Sequence, residues 1–244
     1  MSETTRVALV TGASGGIGRA VARRLAVEGM AVGVHYAGNK AAAQEAVAAV
    51  EAAGGRAVAV AGDVADERAM ADAFSAVEGA FGGIDVVVHT AGVMTLGPIA
   101  AFDLDAFDRL MRTNVRGAFV VAREAARRVR DGGAVVTFST SVTRLAFPGY
   151  APYAASKGAV EAMTLVLARE LRGRDVTVNA VAPGPTATPL FLEGKDQETI
   201  DRLAAQPPLE RLGTPEDIAE TVAFLAGPGR WVNGQVVFVN GGIA

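Results

Sequence analysis

Cysteine is absent from all 244 residues. That removes disulfides and thiolate chemistry, and nothing points to an oxidising compartment. A basic surplus is also missing: 23 Lys and Arg stand against 26 Asp and Glu, a net charge of −3. A nucleic-acid-binding chain usually carries a positive excess. Apolar runs are short, and none approaches the roughly eighteen residues that cross a bilayer. The opening MSETTR lacks the basic-then-apolar order of a secretory signal, so a soluble cytoplasmic protein is expected. Histidine is scarce. His35 and His89 end two apolar runs far apart in the chain, and no residues are spaced as a metal-ligand cluster.

Against these absences, half the residues are hydrophobic and a fifth are charged, the balance of a chain with a sizeable core. Short β-branched runs alternate with helical patterns throughout. The runs 7–10, 31–35, 57–62, 85–89, 134–139, 176–181 and 235–239 read as strands. Ile17, Val21 and Leu25 mark one helix face, and Met70, Phe74, Val77 and Phe81 another. An Ala-rich helix is expected over about 40–53. Thr214-Pro215-Glu216-Asp217 has the form of a capping box ahead of Ile218, Val222 and Leu225. Strands buried on both faces and joined by helices predict a single domain over 1–244, an α/β fold of Rossmann type. Its sheet is parallel and doubly wound, with about seven strands. Residues 184–213, rich in Pro, Gly and charge, interrupt the pattern and read as a lid.

TGASGGIG (11–18) falls at the first strand-to-helix turn, beyond the carboxyl end of the strand, where open α/β sheets bind ligands. Gly12, Gly16 and Gly18 allow a tight turn and close approach, and the helix start offers N–H groups to a pyrophosphate. With 29 glycines, that spacing is expected about 0.4 times by chance, so its location carries the information. Ser14 and Ile17 share the loop. NAD-binding loops are followed, about 20 residues on, by an acidic residue for the ribose hydroxyl. Here no Asp or Glu occurs from Ala31 through Gln44; Tyr36, Asn39 and Lys40 stand in that region instead. A missing carboxylate removes repulsion against a 2′-phosphate and Lys40 adds attraction, which favours NADP(H).

YAPYAASK (150–157) holds two of three tyrosines and one of three lysines. Tyr153 precedes Lys157 by four residues and shares its helix face. Pro152 suits the first turn and disfavours helical geometry at Ala151, which leaves Tyr150 outside the helix. A tyrosine four residues before a lysine is expected only about 0.04 times by chance, given three of each. A phenol titrates near pH 10, and lowering that by about 2 units takes roughly 2.7 kcal/mol. An ammonium and an oxidised nicotinamide would supply it. The plain alternative is an aromatic helix start beside a surface lysine.

Taken with the loop, the pair resembles the classical short-chain dehydrogenase/reductase family, and the likeness runs over essentially the whole chain. TGASGGIG resembles its cofactor loop and YAASK its Tyr-x-x-x-Lys. GDV, with Asp63 and Val64, resembles the adenine turn, and TAG, with Ala91 and Gly92, the segment after the fourth strand. Asn114 resembles the family's helix-four asparagine and STS (139–141) its catalytic-serine segment. APGPTATPL resembles the turn that reaches the nicotinamide, with Pro183, Gly184 and Thr188, and GQVVFVNGG resembles the closing strand. The chain departs at His89-Thr90, where the family usually has two asparagines. Counting back from the tyrosine selects Thr140 as the catalytic hydroxyl, while counting forward from Asn114 selects Ser141. The Ser141-Val142 step favours Ser141, with Ser139 ending the strand.

The resemblance implies hydride transfer from NADPH to a carbonyl, with Tyr153 as proton donor and Ser141 holding the carbonyl oxygen. Lys157 would bind the nicotinamide ribose and tune the phenol, and Asn114 would support a relay water. Thr188 would touch the nicotinamide or a phosphate, or else simply cap a turn. Met94, Leu145, Phe147, Tyr150, Leu190, Phe191 and Leu192 would form an apolar substrate wall, with Arg144 nearby. A small carbonyl or alcohol is the expected partner. Two further readings compete. Arg123, Arg127, Arg128 and Arg130, with Arg169, Arg172 and Arg174, would dock an acyl carrier protein in a 3-oxoacyl reductase. A non-catalytic cofactor-binding sensor is the other. The family likeness also implies a homotetramer, with Trp231, Val236 and Phe238 as candidate contacts.

Overall fold

Seven short apolar runs become seven parallel strands. They are β1 (Val7–Thr11), β2 (Ala31–Tyr36), β3 (Arg56–Ala61), β4 (Ile84–His89), β5 (Val129–Phe138), β6 (Thr177–Pro183) and β7 (Val236–Val239). The computed structural model describes residues 5–244; positions 1–4, part of the stretch read for a signal pattern, lie outside the described residues. The strands line up as β3-β2-β1-β4-β5-β6-β7, every neighbouring pair parallel. β1 is buried along its whole length, as a central strand covered on both faces must be.

Among the described residues there are ten α-helices: α1 (Gly16–Val27), α2 (Lys40–Ala52), α3 (Glu67–Phe81), α4 (Leu104–Met111), α5 (Gly117–Arg128), α6 (Val142–Leu145), α7 (Ala151–Glu170), α8 (Pro189–Leu192), α9 (Gln197–Ala204) and α10 (Pro215–Ala226). Leu25 of α1, Val50 of α2 and Val222 of α10 pack into the core on one face of the sheet. Phe74 of α3, Val121 of α5 and Leu167 of α7 pack on the other. The helix stripes read from the sequence are these buried faces. Thr214 and Asp217 cap α10 reciprocally, as their spacing predicts. Arg211 grips Asp217 with both ends of its guanidinium at 2.6 and 3.1 Å, and the carboxyl is lowered to about 2 by that pairing.

Three features depart from the sequence reading. Ala151 is the first residue of α7, so Pro152 does not exclude it from the helix; Tyr150 lies just outside, as expected. The stretch 184–213 is not a plain loop, because α8 and α9 sit within it. The helix containing Asn114 is interrupted by a π-helical turn, Arg112–Arg116, a distortion frequent at functional sites. The order of strands reverses between β1 and β4. A crevice opens there, at the carboxyl ends of the strands, with the glycine loop on its rim.

Candidate active site

The loop after β1 is held so tightly that two of its glycines, Gly12 and Gly18, cannot be replaced without displacing backbone. Gly12 sits at φ 67°, and a Cβ there would come within 2.9 Å of the Ala91 backbone. A Cβ on Gly18 would lie 2.4 Å from the Gly12 carbonyl oxygen. α1 begins at Gly16 with no side chain capping it, so the N–H groups at Gly16, Ile17 and Gly18 remain for an anion. The loop therefore has the cradle that a dinucleotide pyrophosphate needs. Ser14 contributes its backbone: its carbonyl accepts from Arg19 at 3.1 Å.

Two buried histidines brace this rim. His35 Nδ1 accepts from Gly12 N at 3.4 Å, and its Nε2 is buried without a partner. His89 meets the Thr11 hydroxyl at 2.8 Å. Burial holds His35 down to about 4 and His89 to about 3, with Lys157 and His35 adding to the effect on His89, so both rings are neutral near pH 7. Thr90, in place of a family asparagine, donates to the Thr11 carbonyl at 2.6 Å.

On the adenine side, both oxygens of Asp63 are engaged, by Ala65 N at 2.9 Å and Arg112 at 2.6 Å. Val64 is buried against Gly117. Tyr36 ends β2 half-buried. Asn39 caps α2 by accepting from Ala42 N at 2.9 Å, and Lys40 follows it, exposed. Arg19, which the sequence reading passed over, pairs with Glu45 of α2 at 3.3 Å. Its position directly after the last loop glycine was the available signal.

Across the crevice, α7 presents Tyr153 and Lys157 to the end of β5. Lys157 is buried and donates to the Phe138 carbonyl at 2.9 Å; its Nζ lies 5.8 Å from the Tyr153 ring centre. Burial brings the lysine down to about 8. Burial also pushes the Tyr153 phenol up to about 12; a hydrogen bond with the Thr140 hydroxyl pulls the other way, and Tyr150 adds to the rise. The sequence-based expectation is a phenol lowered by an ammonium and an oxidised nicotinamide together; in the protein alone, burial sets the direction, upward. A neutral phenol at physiological pH is a proton donor.

The two candidate hydroxyls face different ways. Ser141 Oγ donates to the Ala182 carbonyl at 3.3 Å and accepts from Asn240 Nδ2 at 3.1 Å. Thr140 accepts from Val142 N at 3.4 Å. Ser141, the hydroxyl favoured by the sequence, lines the same cavity as Thr140 and Tyr153. Ser139, just past the strand, donates to Glu161 at 2.5 Å. Asn114 is buried, its amide spanning Val93 and reaching Ser156 at 3.0 Å. Asn114 and Lys157 meet at Gly92, where a Cβ would come within 3.2 Å of Asn114 Oδ1 and 3.4 Å of Lys157 Nζ.

Pro183, Gly184 and Thr188, expected at the nicotinamide, line the cavity. Gly184 packs against Asn240 so closely that a Cβ would lie 2.8 Å away. Thr188 caps α8 by accepting from Phe191 N at 3.2 Å, and its methyl faces Gly16. One cavity joins these parts. It is lined by Ile17, Gly92, Thr140, Ser141, Tyr153, Lys157, Pro183, Gly184 and Thr188, and on the outer side by Met94, Leu145, Phe147, Tyr150, Leu190 and Phe191. Leu203 of α9 joins that wall, while Leu192, expected there, does not line the cavity. Phe147 and Tyr150 pack edge to face, centroids 5.9 Å apart. Arg144 is stacked on Phe238 at 4.5 Å, so it does not reach into the cavity as the charge for an acidic substrate.

The chain is similar to known proteins over nearly its whole length. A family model described as Enoyl-(Acyl carrier protein) reductase matches residues 12–244. A "Short-chain type dehydrogenase/reductase" of Picea abies is 44% identical, covering 97% of this chain and 92% of its own. The chain belongs to the short-chain dehydrogenase/reductase family. A protein of Arabidopsis thaliana called "NADPH-dependent aldehyde reductase-like protein, chloroplastic" is 41% identical over 97% of this chain and 93% of its own. The solved structure of the angucycline C-6 ketoreductase LanV with bound NADP superposes with a TM-score of 0.93 at 35% identity, covering 98% of this chain and 96% of that one. As a member of this family the chain is an oxidoreductase that uses a nicotinamide cofactor.

The arginine cluster expected at a carrier-docking face is largely spent inside the molecule. Arg123 pairs with Glu67, Arg127 with Glu124, Arg130 with Asp85 and Arg174 with Asp131. Arg128 reaches Glu78, Glu124, Ser75 and the Ala71 carbonyl together. Among the described residues, no helix is long and apolar enough to cross a membrane, and no group of three His, Cys, Asp or Glu is placed to hold a metal.

Proposed function

We propose that the chain is an NADPH-dependent reductase of apolar ketones and aldehydes, in which Tyr153 delivers the proton. The observation that carries this reading is the convergence, in one cavity, of Ile17 at the end of the glycine loop, the Thr140–Tyr153–Lys157 group and an uncharged wall.

The glycine loop and the N-terminus of α1 would hold the pyrophosphate. Lys157, Gly92 and the Pro183–Gly184 turn would hold the nicotinamide half. Lys40 and Arg19 favour a 2′-phosphate at a strand end that carries no carboxylate. When bound, NADPH supplies the hydride. Thr140 donates a hydrogen bond to the carbonyl oxygen, the kind of preorganised contact that stabilises developing charge. Tyr153, kept neutral by burial, gives its proton to that oxygen, and Lys157 stabilises the phenolate left behind. Asn114 anchors the Lys157 end of the relay through its contacts at Gly92.

The substrate is neutral. Phe147, Tyr150, Leu190 and Leu203 face the cavity, and Arg144 is occupied on Phe238. The 3-oxoacyl alternative retains Arg169 and Arg172 for a carrier; equal rates on free and carrier-linked thioesters would remove it. In this reading the enzyme acts in the cytoplasm as a homotetramer. Phe119, Leu165 and Val166 leave an exposed apolar strip on α5 and α7, and Trp231 is fully exposed. Sedimentation tests the assembly and cell fractionation the compartment.

Proton donation by a positioned group typically contributes 10²–10⁴-fold. Tyr153→Phe is therefore expected to lose turnover on that scale while NADPH fluorescence titrations stay at the wild-type affinity. Equal loss of binding and turnover would contradict the assigned role.

A further inference from the structure

We infer that Glu161 is a positioning residue for the proposed reduction, its carboxylate fixing the segment that carries Thr140 to the helix that carries Tyr153 and Lys157. The inference rests on the reductase reading.

Tyr153, Lys157 and Glu161 follow one another at four-residue intervals on α7, so they form a single stripe. Each docks on the same short piece of chain. Tyr153 meets Thr140 and Lys157 donates to the Phe138 carbonyl. Glu161 Oε1 accepts from Ser139 Oγ at 2.5 Å and shares the Thr143 hydroxyl, at 3.0 Å, with the Thr140 carbonyl at 2.9 Å. Those two hydroxyls bracket Thr140 and Ser141. One oxygen therefore holds both ends of the turn on which the substrate-facing hydroxyl sits.

The turn needs such a hold. α6 is only four residues long and has no side-chain cap, and so short a helix does not sustain itself. Ala146, just after it, takes a left-handed φ of 50°, unfavourable for a residue with a Cβ. Hydrogen bonds to a carboxylate are roughly twice as strong as neutral ones. Glu161 is thus the strongest side-chain link between the turn and α7. A displacement of about 1 Å at the reacting groups can cost on the order of 100-fold in rate, which makes the link a kinetic matter as well as a structural one.

The test compares Glu161→Ala, Glu161→Gln and the pair Ser139→Ala with Thr143→Val. It reads kcat, NADPH affinity and amide exchange across 139–145. Glu161→Ala is expected to lower kcat about 10- to 100-fold, leave NADPH affinity within about twofold of wild type, and speed exchange in 139–145. Glu161→Gln, whose amide oxygen still accepts both hydroxyls, should restore most of the rate. The hydroxyl pair should reproduce the loss, and adding Glu161→Ala to it should cost little more, as groups acting as one unit behave. Wild-type kcat in Glu161→Ala would overturn the inference. So would a loss that Gln does not rescue and that leaves exchange unchanged. If wild type turned over no carbonyl at all, the reductase reading would fall and the kinetic role with it. Exchange across 139–145 would then still confirm or refute the clamp itself.

Discussion

The two halves of the cavity are built by different means. The cofactor half is made of backbone: Gly12, Gly18 and Gly92 are pressed against neighbouring chain, and the strand ends around them are buried. The substrate half is made of side chains on short elements, α6, α8 and α9, and Leu190 there is largely exposed. A backbone cradle admits almost no substitution, whereas an apolar wall can be rebuilt one residue at a time. In the proposed reading the cavity thus joins a fixed cofactor site to an adjustable substrate site, with Tyr153 at the seam.

That contrast can be broken most severely in the glycine loop. Gly18→Ala forces a Cβ to 2.4 Å from the Gly12 oxygen and 2.6 Å from Thr90 Oγ1. Overpacking of that kind costs about 1–3 kcal/mol. NADPH affinity is expected to fall by roughly 10- to 100-fold with a lower Tm. Gly15→Ala, with nothing within 4 Å, should leave Tm unchanged. Equal Tm losses for the two would show that the loop is not held by close approach.

At the seam, Thr140→Val should cost on the order of 100-fold in kcat, the scale of losing one preorganised donor. Ser141→Ala should cost less than about tenfold, because its hydroxyl is turned to Ala182 and Asn240. The reverse order would return the role to Ser141. The smallest effect is one of pH. Lys157 sits at about 8 and Tyr153 at about 12, so the ammonium loses its proton first as pH rises. Carbonyl reduction should hold from pH 6 to 7 and decline through about pH 8. A rate still rising at pH 9 would contradict the assigned order of titration.

The same contrast explains what was legible in the sequence. Gly12, Gly16 and Gly18 could be read because backbone geometry restricts those positions to one residue type. Tyr153 and Lys157 could be read because helical spacing alone puts them on one face. Thr140 and Ser141 could not be separated, since their hydroxyl partners include Asn240, 99 positions from Ser141. Nor could the direction of the Tyr153 shift, which burial in the folded chain sets. The arginines looked like a docking patch because their partners Glu67, Glu78 and Asp85 lie on other elements. α8 and α9 were hidden because helices of one or two turns carry too little periodicity to detect.

The central claim is tested most directly by following NADPH and NADH oxidation side by side with wild-type protein, against aryl ketones, aliphatic aldehydes and a charged keto acid. The account predicts turnover of the neutral carbonyls with a clear preference for NADPH. Preference for NADH, or for the keto acid, would contradict it.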